Sequence, residues 1–210
     1  MSYFAGMSNI KNIIFDMGGI FLTIDYMLTE RAFIELGVTN FGELYSQNHS
    51  TKLFNDFEKG KISPAIFFDA LRVITGMGLP DDQIECAWNA MLGHFPIERL
   101  QWLDGIRKRY KVFLFSNTNE LHYNAVMHTY RLETGHDLLD EHFDKAYYSH
   151  IMGMRKPDRE SYQKILDEQH LDVTETLFID DTYKNIVGAE SVGLQTIFLP
   201  PPKTVFDLAI

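Results

Sequence analysis

The chain has 210 residues, is 45% hydrophobic and 23% charged, and carries a formal net charge of -10, which allows a sizeable core in one domain or one domain with a smaller insert. That charge argues against a nucleic-acid partner, because a phosphate backbone needs clustered cations, and the compact basic run Arg107-Lys108-Arg109 falls late in a helical pattern, where cations suit the dipole and face solvent. Cys86 stands alone, so no disulfide framework forms; with no basic start leading into a signal-like apolar stretch and no apolar run near the roughly 20 residues that span a bilayer, the expectation is a cytoplasmic protein without a membrane partner.

The first predicted strand, Asn12 to Phe15, ends in Asp16 and runs into Met17-Gly18-Gly19. From about Tyr26 to Leu92 the apolar residues recur at helical spacing with almost no strand signal. Ser63-Pro64 supplies a cap and a proline at the first helical position, and Ile66, Phe67, Ala70, Leu71 and Ile74 then share a face. Asp81 opens a further helix whose stripe is Ile84, Ala87, Trp88 and Met91. Gly76-Met77-Gly78 is a turn and not a dinucleotide fingerprint, since Asp81 stands where the third glycine is needed. Beyond this segment helices and strands alternate. A helix over Ile97 to Lys108 precedes a strand at Val112 to Phe115, and a helix over Glu120 to Tyr130 precedes a strand at Ala146 to Ser149. The helix Arg159 to His170, the strand Thr176 to Ile179, the helix Tyr183 to Val192 ended by Gly193, and the strand Thr196 to Leu199 complete the order. Such alternation predicts an α/β fold, a doubly wound parallel sheet between two helical layers. The expected division is a core of residues 1–25 and 93–210 with an inserted helical cap at 26–92.

Four polar clusters fall at the predicted strand ends, where an open parallel sheet places its ligand crevice. They are Asp16, Ser116-Asn117-Thr118-Asn119, Arg155-Lys156-Pro157 and Asp180-Asp181. Taken singly, each has an ordinary explanation as a turn, cap or solvated charge. The adjacent carboxylates of Asp180 and Asp181 are the hardest to explain that way, because they repel unless a cation or strong donors balance them. Together, a carboxylate, a hydroxyl-amide pair, a lysine and a carboxylate pair are what phosphoryl transfer through an aspartyl-phosphate requires.

With Gly153-Met154-Arg155-Lys156-Pro157 and Asn185 added, these stretches resemble, in order and over most of the chain, the four motifs of the haloacid dehalogenase superfamily of phosphohydrolases. Within it the wording is similar to the bacterial α-D-glucose-1-phosphate phosphatase branch. The resemblance implies a Rossmann-like three-layer α/β/α core with a four-helix-bundle-like cap, and a magnesium-dependent phosphatase acting on a small phosphorylated metabolite, a sugar phosphate such as a hexose 1-phosphate being favoured. It implies that Asp16 attacks phosphorus, that Mg²⁺ is held by Asp16, the Gly18 carbonyl and Asp181, and that Asp180 orients a metal-bound water or Lys156. Ser116 and the Asn117 N–H would grip the phosphoryl oxygens while Lys156 neutralises them. Asn185 would support the metal loop.

One position departs from the commonest pattern. Many members carry an acid/base aspartate two residues after the nucleophile, and here that residue is Gly18; such assistance is typically worth about 10² to 10⁴ in rate. Asp25 is a candidate substitute, against the plainer expectation that it caps a helix. Gly18 also favours an alternative in which the protein binds phosphate without turnover, and it weighs against a phosphomutase; a metal-free dehalogenase leaves Asp180-Asp181 unexplained. In the cap, Glu58, Lys59, Trp88 and His94 are candidate substrate contacts, and Asn119 and His122 could face the crevice. The histidines show no zinc-ligand spacing.

Overall fold

Strand β1 (Asn12–Phe15) is buried along its whole length because it is the middle strand of five. The computed structural model describes residues 9–47 and 49–210, the side chain of His49 excepted; the first eight residues of the start considered above lie outside them. After β1 come α1 (Tyr26–Glu35), α2 (Phe41–Leu44), β2 (Tyr45–Ser46), β3 (His49–Ser50), α3 (Lys52–Glu58), α4 (Pro64–Thr75) and α5 (Asp81–Asn89). The chain continues through α6 (Ile97–Ile106), β4 (Lys111–Ser116), α7 (Glu120–Thr134), β5 (Lys145–Tyr148), α8 (Ser149–Met152), α9 (Arg159–Glu168), β6 (Thr176–Asp180), α10 (Tyr183–Glu190) and β7 (Gln195–Phe198).

The sheet order is β5-β4-β1-β6-β7, and every pairing is parallel. Successive side chains of a strand point to opposite faces, and here both faces are apolar. Ile13, Phe15, Leu114 and Ile179 pack with Leu103 and Val126 of α6 and α7. Ile14, Phe113, Phe115 and Phe178 pack with Tyr162 and Ile186 of α9 and α10. Continuous apolar strands with helices on both faces are the mark of a parallel sheet.

Helices α1 to α5 enclose a separate, largely aromatic core, in which Phe33 stacks on Phe41 at 4.0 Å and Phe57 on Phe67 at 4.2 Å, with Trp88 fully buried beside them. Two connections join this layer to the sheet, and they run side by side: Asp25 N–H donates to Met91 O at 2.9 Å and Thr23 N–H to His94 O at 3.0 Å. The Ser63 hydroxyl caps α4 ahead of Pro64, as expected. The α4 stripe is corrected. Phe67, Phe68 and Leu71 are buried, whereas Ile66 and Ile74 are 55% and 48% exposed. At about 100° per residue the buried face centres between Phe67 and Phe68, which turns Ile66 outward, and Ile74 lies in the last turn. Pro80 occupies the cap position of α5 and Asp81 its first turn, where Asp81 pairs with Arg72. The hairpin of β2 and β3 escapes sequence reading because two-residue strands have no measurable period.

Candidate active site

The register of the sheet brings three polar clusters to one edge. Phe15 pairs with Leu114 on one side and Ile179 on the other, so Asp16 and Asp180 leave the sheet side by side and Ser116 stands one residue further out. Asp16 N–H still donates to Ile179 O at 2.9 Å. The chain then turns through Gly19 with φ +74, where an added Cβ would collide with the Asp181 carboxylate. Only glycine fits that close approach in the left-handed region. Arg99 clamps the same turn, its Nη1 donating to Gly19 O at 3.0 Å and Ile20 O at 2.8 Å.

Lys156 comes from the loop between α8 and α9 and is 1% exposed. Its Nζ donates to Asp16 Oδ1 at 2.7 Å and to Asp180 Oδ2 at 2.8 Å, with the rings of Phe115 and Phe178 at 5.3 and 5.6 Å. Burial works against the ammonium charge, but Asp16 and Asp180 outweigh it and hold its pKa above the usual lysine value. Asn185 Nδ2 donates to both oxygens of Asp180, at 3.1 and 3.0 Å, and Thr182 N–H adds a third bond at 2.8 Å. Asp181 accepts from the Thr182 hydroxyl at 3.0 Å.

Asp16, Asp180 and Asp181 can each place one oxygen within 4.8 Å of the others, a span that a single ion with metal–oxygen distances of about 2.0–2.6 Å can bridge. One lysine does not balance three carboxylates. Burial, opposed by Lys156 and reinforced by Asp180 and Asp181, pushes the Asp16 pKa up to about 7. Burial and Asp180 push Asp181 to about 6. An all-oxygen donor set that is under-neutralised fits a hard divalent cation, whose charge would return both groups to the ionised form.

Asp16, Asp181 and Lys156 line a cavity of about 90 Å³ between the sheet edge and the cap, room for roughly three waters at about 30 Å³ each. Ser116 and Asn117 line it, as do Asp181 and Asn185. His122 lines it as a neutral imidazole, since burial lowers its pKa to about 4 and its Nε2 lies 3.0 Å from Trp88 O. Asn119 is fully buried behind it, capping α7 through His122 N–H at 3.1 Å and accepting from Trp88 Nε1 at 3.3 Å.

From the cap, Glu58 reaches the cavity. Lys59 instead pairs with Asp158 at 2.6 Å, Trp88 belongs to the cap core, and His94 is exposed beside Thr23. Asp25 is not brought to the cavity. It is exposed and caps α1, accepting from Met27 N–H at 2.9 Å. Sequence reasoning missed Tyr26, Tyr45, Gln47 and Lys184 as cavity residues and assigned no role to Arg155, which lines the cavity beside Lys156. The four stand on elements whose orientation no local pattern fixes.

A family model described as haloacid dehalogenase-like hydrolase matches residues 10–193. A D-ribitol-5-phosphate phosphatase of Bacteroides thetaiotaomicron is 33% identical over 89% of this chain and 90% of its own. A sesquiterpene phosphatase of Aspergillus oryzae is 29% identical over 91% of each chain. Among solved structures, an alanine variant of a HAD family enzyme from B. thetaiotaomicron, in complex with magnesium and inorganic phosphate, superposes with a TM-score of 0.86 at 31% identity, covering 92% of this chain and 96% of that one.

Proposed function

The chain belongs to the haloacid dehalogenase-like hydrolases, and on that footing we propose that it is a magnesium-dependent phosphatase that passes the phosphoryl group of a small metabolite to Asp16 and then to water. The observation that carries this reading is the convergence of Asp16, Asp180, Asp181 and Lys156 on one point of the sheet edge. It is reinforced by the magnesium and phosphate held by the structural relative.

Asp16, the Gly18 carbonyl and Asp181 would hold Mg²⁺, which supplies charge neutralisation for the phosphoryl oxygens when bound. Asp16 attacks phosphorus in line, the P–O bond to the ester oxygen breaks, and the departing alkoxide takes a proton from water. Water then cleaves the acyl phosphate, releasing inorganic phosphate and restoring the carboxylate. Lys156 favours the ionised form of Asp16, which the bound cation would complete, and lowers the cost of bringing it against a dianion. The Ser116 hydroxyl and the Asn117 N–H bind the phosphoryl oxygens. Asp180, with its oxygens already committed to Lys156, Asn185 and Thr182 N–H, serves chiefly to fix Lys156 and the loop that carries Asp181.

The substrate class we favour is a small hydroxylated phosphate monoester. The motif wording points to a hexose 1-phosphate, and the 33% identical relative acts on a pentitol phosphate. An anomeric oxygen is a less basic leaving group than a primary alkoxide, which suits a site with Gly18 in place of an acid. The test is phosphate release from a panel of sugar and sugar-alcohol phosphates, with and without Mg²⁺, by wild type and Asp16→Asn. Magnesium-dependent release that Asp16→Asn abolishes is expected; wild-type rates in that variant would end the covalent route.

A further inference from the structure

Beside the carboxylate cluster, the cavity lining holds a second group of charges. Glu58 of α3 and Arg155 of the loop before α9 meet across the cap and core, with Arg155 Nε 2.8 Å from Glu58 Oε2 and their side chains 12% and 6% exposed. The pair is close but off the hydrogen-bond line: among the described residues neither Nε nor Oε2 has a hydrogen-bond partner, and both atoms are closed to solvent. Among the described residues, the other carboxylate oxygen has only the Tyr45 hydroxyl, at a long 3.3 Å. Arg155 Nη1 is spent on Asn55. Lys184 of α10 adds a third charge to the same wall, donating to Gln47 O at 3.2 Å.

A purely structural ion pair would be aligned and turned away from the cavity, because leaving buried charged groups part-satisfied is unfavourable. We propose that Glu58, Arg155 and Lys184 form a hydroxyl-reading subsite for the part of the substrate beyond the phosphate, which makes the enzyme selective for polyhydroxylated esters over alkyl esters. This rests on the phosphatase reading above and adds to it the residues that choose the substrate. Glu58, Arg155 and Lys184 all line the cavity, so neighbouring hydroxyls can donate to Glu58 while accepting from Arg155 and Lys184 once the Glu58–Arg155 pair turns toward them. An alkyl tail makes none of these bonds. Sites built to hydrogen-bond a hydroxyl reject analogues lacking it by about 10⁴ to 10⁵, and with a flexible chain at least about 10² is expected here.

The deciding measurement is the ratio of kcat/KM for ribitol 5-phosphate to that for n-pentyl phosphate, which has the same carbon count. Expected are a ratio of at least about 10² in wild type, a drop of more than tenfold in Glu58→Gln, and a several-fold drop in Lys184→Gln, carried mainly by KM for the polyol ester. Lys184→Gln decides alone if the Glu58 variant does not fold. A wild-type ratio near one, a ratio unchanged by the variants, or a preference for a carboxylate-tailed phosphate overturns the subsite. If wild type releases phosphate from neither ester nor from p-nitrophenyl phosphate, the phosphatase reading falls. Calorimetric binding of the two esters to the same three proteins then judges the subsite separately: tighter binding of ribitol 5-phosphate, lost in the variants, supports it, and equal affinities overturn it.

Discussion

Asn117 holds the backbone of Lys156 from both sides: its Nδ2 donates to Lys156 O at 2.9 Å and its Oδ1 accepts from Lys156 N–H at 2.9 Å. The amide of one strand-end loop thereby fixes where the ammonium of another loop projects. Asn117→Ala removes both bonds, at about 0.5–1.5 kcal/mol each, and frees Lys156 to shift. Displacements of about 1 Å in catalytic geometry lower rates by about 10². The expected result is a loss of that order in kcat with a modest fall in Tm, measured by steady-state kinetics and thermal unfolding. Retention of full kcat would show that the ion pairs alone fix Lys156.

Magnesium and pH should act together on stability. Asp16 and Asp181 have folded pKa values of about 7 and about 6, against a usual 3.8. The folded, ion-free protein therefore binds more protons than the unfolded chain between about pH 4 and pH 7, so these groups lower its stability as pH rises through that window. A cation that binds the ionised carboxylates offsets the loss. The rise in Tm on adding Mg²⁺ should be larger at pH 7.5 than at pH 5; an equal rise at both would place the ion elsewhere.

Gly19 is expected to tolerate no side chain. Its φ of +74 is unfavourable for L residues by roughly 1–2 kcal/mol, and a Cβ would push into the Asp181 carboxylate. Gly19→Ala should weaken Mg²⁺ more than tenfold, read from the metal dependence of activity and from the Mg²⁺-induced shift in Tm. Wild-type metal dependence in this variant would mean that Asp181 can move aside freely.

At Gly18 the obstacle to restoring an acid is Ile24, whose Cγ1 lies 3.3 Å from where a Cβ would stand. Gly18→Asp alone is expected to gain little, because Ile24 crowds the new side chain. Combined with Ile24→Ala it should speed hydrolysis of esters with basic leaving alcohols by up to about 10², with a smaller effect on p-nitrophenyl phosphate. A rate equally changed for both leaving groups would remove proton donation as the cause.

The sheet and its catalytic edge were legible in the sequence for a definite reason. Asp16, Ser116 and Asp180 each end or directly follow a continuous apolar strand, and such a run in a parallel sheet is buried on both faces, so its polar terminus marks the crevice. Trp88 suits both a packing stripe and a substrate contact by its sequence position, and the structure buries it in the cap core. The cap was legible as helices but not as a surface. Ile66 and Ile74 share a helical spacing with buried neighbours yet face outward, because periodicity identifies a face without saying which part of it another helix covers.

By itself, then, the order of residues determined the strands of the parallel sheet, the crossover helices and the four polar stretches, since apolar runs, caps and turns are local properties of the chain. Tertiary structure decided what those stretches share. Lys156 between Asp16 and Asp180, Asn117 on the Lys156 backbone, and Glu58 against Arg155 all join residues far apart in the chain. Their distances depend on strand register and on how the cap closes, quantities set by packing across the whole molecule and carried by no single segment.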